Sequence, residues 1–245
     1  MGRRLRKNST PDHDGILLVD KPKEWTSHDV VNFVRNRYRF NKVGHCGTLD
    51  PLATGLIVIV IGKATKLASK LTADDKLYVT EMTLGRETDS HDEEGETTRE
   101  ASYEHVTEEQ IKQCAIDFTG EQMQTPPMVS ALKQNGKKLY DLARQGIVVE
   151  REARPVTFHS LTIDKIELPK VHYTLHCSKG SYVRVLCYDM GLKLETAAYM
   201  SNLRRTKSGQ FSLDNAVTID HLKTIERTEV EKLIIPIDQV EIAED

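Results

Sequence analysis

Runs of apolar residues and their spacing divide the chain into short elements. Residues 15–20 are apolar until Asp20 and read as a strand that enters a turn at Lys21-Pro22. Thr26 or Ser27 can cap a helix whose apolar side is Val30, Val31, Phe33 and Val34. Leu56–Ile61 is six consecutive apolar residues, mostly β-branched, and predicts a buried strand. Lys63–Leu71 reads as a short helix and Leu77–Leu84, with weak alternation, as a strand. Residues 86–100 are polar and aperiodic and predict a loop. Thr107 predicts a capped helix to about Phe118, Glu121–Pro127 an extended stretch, and Lys137–Gln145 a helix stopped by Gly146. Residues 155–167 and 171–178 predict two strands joined at Pro169-Lys170. Ser181–Leu194 and 218–233 predict helices, with Pro236-Ile237-Asp238 close to the end. Strand pairs interrupted by helices suggest an α+β fold rather than a doubly wound one.

Composition narrows the class. The chain has 245 residues, 38% hydrophobic and 29% charged, which suits a core-forming soluble protein. No apolar run reaches membrane-spanning length, and no secretory leader follows the basic start Arg3-Arg4-Leu5-Arg6-Lys7. Cys46, Cys114, Cys177 and Cys187 show no CxxC spacing, which argues against a zinc knuckle or a disulfide framework and for reduced thiols in the cytoplasm. No phosphate-binding glycine loop and no EF-hand spacing occur, so neither a nucleotide cofactor nor calcium is indicated. The net charge of −3 is awkward for a phosphate-binding protein, but base is concentrated at 3–7, 35–42, 133–138 and 204–207.

The most informative segment is Gly44-His45-Cys46-Gly47-Thr48-Leu49-Asp50-Pro51-Leu52-Ala53-Thr54-Gly55. Glycines and a proline predict a rigid loop that holds one carboxylate, Asp50, at the edge of a sheet. Such an acid can be a nucleophile, a general base, a metal ligand or a turn cap.

This segment closely resembles the catalytic motif of the TruB family of tRNA pseudouridine synthases. Further motifs match in order: residues 15–22 with Thr26–Val31; Lys76-Leu77-Tyr78 with Leu84-Gly85 and Thr88–Ser90; Gln124–Lys133 with Gly136–Tyr140; Cys177–Arg184; and Leu203–Arg205. The resemblance implies a pseudouridine synthase catalytic fold, with a mixed, mainly antiparallel sheet flanked by helices and loops. It further implies isomerisation of uridine 55 in the T loop of tRNA, after the base is flipped out. Asp50 would be the nucleophile and Arg184 its ion-pair partner. Tyr78 would stack on the base and help move the C5 proton. His45 would fill space left by flipped nucleotides, and Leu203 would line the pocket. Lys21 would buttress the loop or touch substrate, and Tyr140, Lys133 and Arg205 would contact phosphate or sugar. No cofactor and no metal are expected; the partner is the T stem-loop of tRNA, and the protein is expected to act as a monomer without an obligatory protein partner.

Three departures from the family pattern stand out. Cys46 replaces a common threonine. Glu24 stands where many relatives have glycine, so a positive φ there would strain the turn. Only nine residues follow Pro236, which leaves no room for an RNA-binding PUA domain. The expected organisation is a flexible basic tail at 1–12 and one catalytic domain at 13–245. The alternative is a non-catalytic tRNA chaperone, against which the joint presence of Asp50, Tyr78 and Arg184 argues.

Overall fold

The computed structural model describes residues 13–242, apart from 131–132, 135–136, 140–141, 143–144 and 148, with the backbone alone at 133–134 and 137–138. The tail at 1–12 and Tyr140 lie outside the described residues, as does the side chain of Lys133. In chain order the elements begin with β1 (Gly15–Lys21), α1 (Ser27–Tyr38), β2 (Val43–Cys46), β3 (Thr54–Ile61), α2 (Ala68–Thr72) and β4 (Lys76–Leu84). Then come β5 (Arg86–Thr88), β6 (Thr97–Glu100), α3 (Glu108–Phe118), β7 (Gly120–Gln124), β8 (Lys133–Gln134) and β9 (Lys137–Lys138). They continue with β10 (Arg154–Glu167), β11 (Lys170–Cys177), α4 (Val183–Lys193), β12 (Ala198–Ser208), β13 (Phe211–Ser212) and β14 (Val217–Thr218). The last are α5 (Ile219–Thr224), α6 (Arg227–Val230) and β15 (Ile235–Pro236).

The chain divides into two compact units, one of residues 1–74 with 205–245 and one of 75–204. In the first, β1 and β3 pair antiparallel, with Leu17 opposite Ile59 and Leu18 opposite Val58. Both faces of this pair are covered, which is why both strands read as continuous apolar runs. Leu17, Val19, Ile57, Ile59 and Ile61 pack with Val30, Val31, Val34 and Tyr38 of α1 and with Ile219, Leu222, Ile225 and Val230 near the C-terminus. Ile16, Leu18, Leu56, Val58 and Val60 pack with Cys46, Ala64, Leu71 and Phe211. Helix α1 starts at a Thr26 cap that forms a reciprocal capping box with Asp29. β14 pairs parallel to β1.

In the second unit β4, β11, β10 and β7 run antiparallel in that order. Buried and less buried positions alternate along β4 and β11. Helix α3, capped by Thr107 in a box with Gln110, packs on β10 and α4. The Tyr173 hydroxyl of β11 meets the Cys187 thiol of α4 at 3.0 Å. The sheets are mainly antiparallel and flanked by helices, an α+β architecture.

Five elements differ from expectation. Residues 86–100 hold a short hairpin, β5 with β6, whose second strand is exposed throughout and so shows no hydrophobic alternation. Lys137–Lys138 pairs with Lys133–Gln134 instead of starting a helix. The helix expected at 218–233 is broken by extended Ile225, because Glu226 and Glu229 start a new capping box. The region 63–71 is a tight turn of 3-10 helix, Gly62–Leu67, followed by α2. Strand β12 was not foreseen: Arg205 and Ser208 occupy buried positions along it and hide the apolar pattern.

Candidate active site

In the first unit the Asp50 loop connects β2 to β3 and is bound by several distant parts of the chain. Leu49, Leu52 and Ala53 are buried around Asp50, which itself stays half-exposed. The apolar side chains on either side thus sink the loop and leave the carboxylate at the surface. The Ala53 N–H donates to the Asp50 carbonyl at 3.1 Å, closing a turn. Gly47 and Gly55 adopt φ of 80° and 97°, conformations open to glycine and costly for other residues.

Lys21, the last residue of β1, lies opposite Gly55 and is fully buried. Its ammonium donates to the carbonyls of Pro22, Trp25 and Pro51 at 2.9, 2.6 and 3.2 Å. A buried ammonium requires such acceptors. These bonds tie Lys21 to the turn that follows Asp50. The Glu24 N–H also donates to the Pro51 carbonyl at 2.9 Å. Glu24 adopts φ of 70°, so the glycine-like conformation is kept at a residue with a Cβ.

Ser27 completes the other side. Its hydroxyl accepts from the Leu49 N–H at 2.8 Å and donates to the Leu49 carbonyl at 3.0 Å. Sequence reasoning took Ser27 only as a possible helix cap. Thr26 takes that role and frees the second hydroxyl for the loop.

Arg205 lies on β12. The guanidinium is fully buried, and it donates to the carbonyls of Leu56 at 2.7 Å and Gly47 at 3.1 Å. These bonds tie Arg205 to the Asp50 loop and to the start of β3. Beside it, burial first and the Arg205 charge second hold the His45 imidazole below its usual range, against a hydrogen bond with the Gly47 backbone. His45 therefore presents a neutral, half-buried ring next to the Asp50 loop.

The second unit carries Tyr78, Arg184 and Leu203. Tyr78 lies on β4 opposite Leu175 and is 8% exposed, while Leu203 on β12 is 7% exposed. Arg184 stands in the first turn of α4 and is 3% exposed. Its guanidinium donates to the carbonyls of Ser90, at 3.0 Å, and Val129. The Gln124 side chain exchanges two hydrogen bonds with the Tyr182 backbone, at 3.0 and 2.7 Å, and so fixes the start of α4.

The Thr88–Asp92 segment that supplies the Ser90 carbonyl is held by its own polar groups. Thr88 Oγ1 donates to the Asp92 carbonyl at 2.7 Å, and Ser90 Oγ to the Asp92 carboxylate at 2.6 Å. The His91 ring packs against Tyr188, with centroids 4.3 Å apart and planes tilted by 49°. Burial, then the Arg184 charge, holds the His91 imidazole below its usual range.

The comparisons with known proteins agree with these motifs. The model of the TruB family pseudouridylate synthase N-terminal domain matches residues 35–183, and that of the tRNA pseudouridylate synthase B C-terminal domain matches 184–240. The chain belongs to the TruB family. Among relatives in that family, tRNA pseudouridine synthase B of Alkaliphilus oremlandii is 46% identical over 92% of this chain and 74% of its own length. The same-named protein of Opitutus terrae is 43% identical, covering 92% of this chain and 94% of that one. Among solved structures, a chain in a crystal structure of a Cbf5-Nop10-Gar1 complex superimposes with a TM-score of 0.71 at 29% identity. The match covers 93% of this chain and 61% of that one, so this chain spans about three-fifths of that chain's length.

Proposed function

We propose that this TruB-family enzyme converts uridine 55 in the T loop of tRNA to pseudouridine, with Asp50 as the nucleophile. Isomerisation of uridine to pseudouridine in tRNA is the family's activity, and the enzyme is an isomerase. The position in the tRNA and the residue roles are the further reading. The bond between the ribose C1′ and N1 of the base breaks, the base turns, and C1′ joins C5. The C5 proton leaves, and N1 recovers one. No redox step or external energy is needed.

The observation that carries the Asp50 assignment is the clamp on its loop. Lys21, Glu24, Ser27 and Arg205 bind the loop backbone at Pro51, Leu49, Gly47 and Leu56. Such a network holds a carboxylate in a fixed direction, and a positioned nucleophile derives its rate from orientation. A binding surface for a folded RNA has no need of one fixed, half-exposed acid. Arg184, a cation at the positive end of α4, is the proposed partner that keeps the carboxylate ionised and aimed. Tyr78 is the proposed base-stacking group, with its hydroxyl helping to move the C5 proton. His45, held neutral, offers a ring surface to bases displaced on flipping. Leu203 supplies apolar lining. We further propose that the enzyme works as a cytoplasmic monomer on the T stem-loop alone; no helix among the described residues is long and apolar enough to cross a membrane.

The test uses unmodified tRNA transcript carrying tritium at uridine C5. Wild-type protein releases tritium, and carbodiimide-based primer extension stops at the T-loop uridine. Asp50→Asn, nearly isosteric, releases none and still binds tRNA within a few fold. Substantial release by Asp50→Asn would remove it as nucleophile, and tight tRNA binding without release by wild type would favour the chaperone reading.

A further inference from the structure

The sequence shows no metal-ligand spacing, yet the second unit assembles two histidines and an aspartate that are remote in the chain. We propose that Asp75, His159 and His176 bind one divalent transition-metal ion of the zinc class.

The assembly follows from the strand register. Phe158 and Cys177 are paired across β10 and β11, both 1% exposed. The next pair is Ser160 with His176, so His159 is the extra residue of a β-bulge. A bulge re-aims a side chain. Here it brings His159 beside His176, with ring centroids 4.7 Å apart and planes at 45°. Asp75 immediately precedes β4, whose Lys76 pairs with Cys177. One Asp75 carboxylate oxygen lies 3.0 Å from Nε2 of His159 and 4.0 Å from Nε2 of His176. One donor atom from each residue lies within 4.8 Å of the others.

These separations suit a small ion. Bond lengths near 2.0–2.2 Å place the donors of a tetrahedral zinc ion about 3.4 Å apart. The two distances to the carboxylate bracket that value, and rotation of exposed side chains closes the rest. Two imidazole nitrogens with one carboxylate favour zinc, nickel, cobalt or copper over magnesium or calcium, which prefer all-oxygen sets. No thiolate competes nearby: Cys177 is buried on the inward side of β11, and burial pushes its thiol up to about 12. Asp75 and His159 are exposed and His176 half-buried, so the ion can enter from solvent and keep at least one exchangeable position. The site joins the start of β4 to β10 and β11, three neighbouring strands of one unit, and bound metal would stabilise the fold by linkage.

The experiment uses the full chain without a histidine tag, stripped with a chelator. Zn2+ is titrated in competition with a chromophoric chelator, and thermal unfolding is followed over the same Zn2+ series. One equivalent is expected to bind and the unfolding temperature to rise with free Zn2+. His159→Gln and His176→Gln should each weaken binding by at least about tenfold, since even loss of an outer-shell partner costs that much. His221→Gln, at an exposed histidine elsewhere, should bind as wild type. Both readouts are independent of pseudouridine formation. Absence of a saturable site, or undiminished binding by both site variants, would show that the cluster is a hydrogen-bonded surface group only. Should a variant misfold, Zn2+ protection of His159 and His176 from diethyl pyrocarbonate in the wild type decides: protection supports the site, and equal labelling with and without Zn2+ overturns it.

Discussion

Glu24 offers a clean test of how the catalytic loop is held. Its φ of 70° places a Cβ where the left-handed conformation costs an L-residue about 1–2 kcal/mol. Glu24→Gly removes that strain and keeps the backbone N–H that donates to Pro51. The side chain is exposed, so little packing is lost. Glycine also widens the freedom of the unfolded chain, which returns about 0.4–1 kcal/mol. The net expectation is a gain of about 1 kcal/mol, which at this chain length raises the unfolding temperature by about 2–4 °C. Glu24→Ala keeps the Cβ and its strain and should stay within about 0.5 kcal/mol of wild type. Urea and thermal unfolding of the three proteins would be compared, with tritium release as a check that turnover is unchanged. If Glu24→Gly is no more stable than Glu24→Ala, the positive φ at this turn stores no measurable strain.

Other perturbations separate positioning from chemistry. Arg184→Lys keeps the charge but not the planar fork; loss of one charge-assisted hydrogen bond, about 1.5–3 kcal/mol, should slow turnover about 10- to 100-fold without unfolding, as single-turnover kinetics would show. Lys21→Met strands the carbonyls of Pro22, Trp25 and Pro51 and should cost at least about 2 kcal/mol in urea unfolding, together with a fall in kcat; an unchanged urea midpoint would contradict the buttress role. Burial pushes the Asp189 carboxyl from the ordinary 3.8 up to about 6, so the folded state holds a proton that the unfolded chain releases, and stability falls as pH rises between those values. Asp189→Asn should therefore raise the unfolding temperature at pH 8 and do so less at pH 4; an equal gain at both would remove ionisation as the cause.

The parts of the fold legible in the sequence are those whose burial is locally consistent. β1 and β3 are covered on both faces and so are apolar throughout, and α1 and α3 announce themselves through Thr26 with Asp29 and Thr107 with Gln110. β12 was missed because a buried arginine occupies its inward face, and the β5–β6 hairpin because an exposed polar ribbon has no periodicity to read. The site divides in the same way. Glycines and a proline around Asp50 reveal a rigid loop. The clamp that makes it rigid joins Ser27 to Leu49, 22 residues apart, and Arg205 to Leu56, 149 apart. The zinc-class cluster is equally long-range, since its alignment depends on a one-residue bulge that no local pattern signals.

The division of the first unit between residues 1–74 and 205–245 has a consequence for the birth of the enzyme. A ribosome that has made the Asp50 loop has made neither Arg205, which grips it, nor Ile219, Leu222 and Val230, which close the core beneath β1 and β3. The loop emerges among the earliest segments and is among the last to be set. Closure of the first unit therefore waits for the segment after residue 204 rather than for the Asp50 motif itself. The order of translation delays the final setting of the Asp50 loop until residues 205–230 exist.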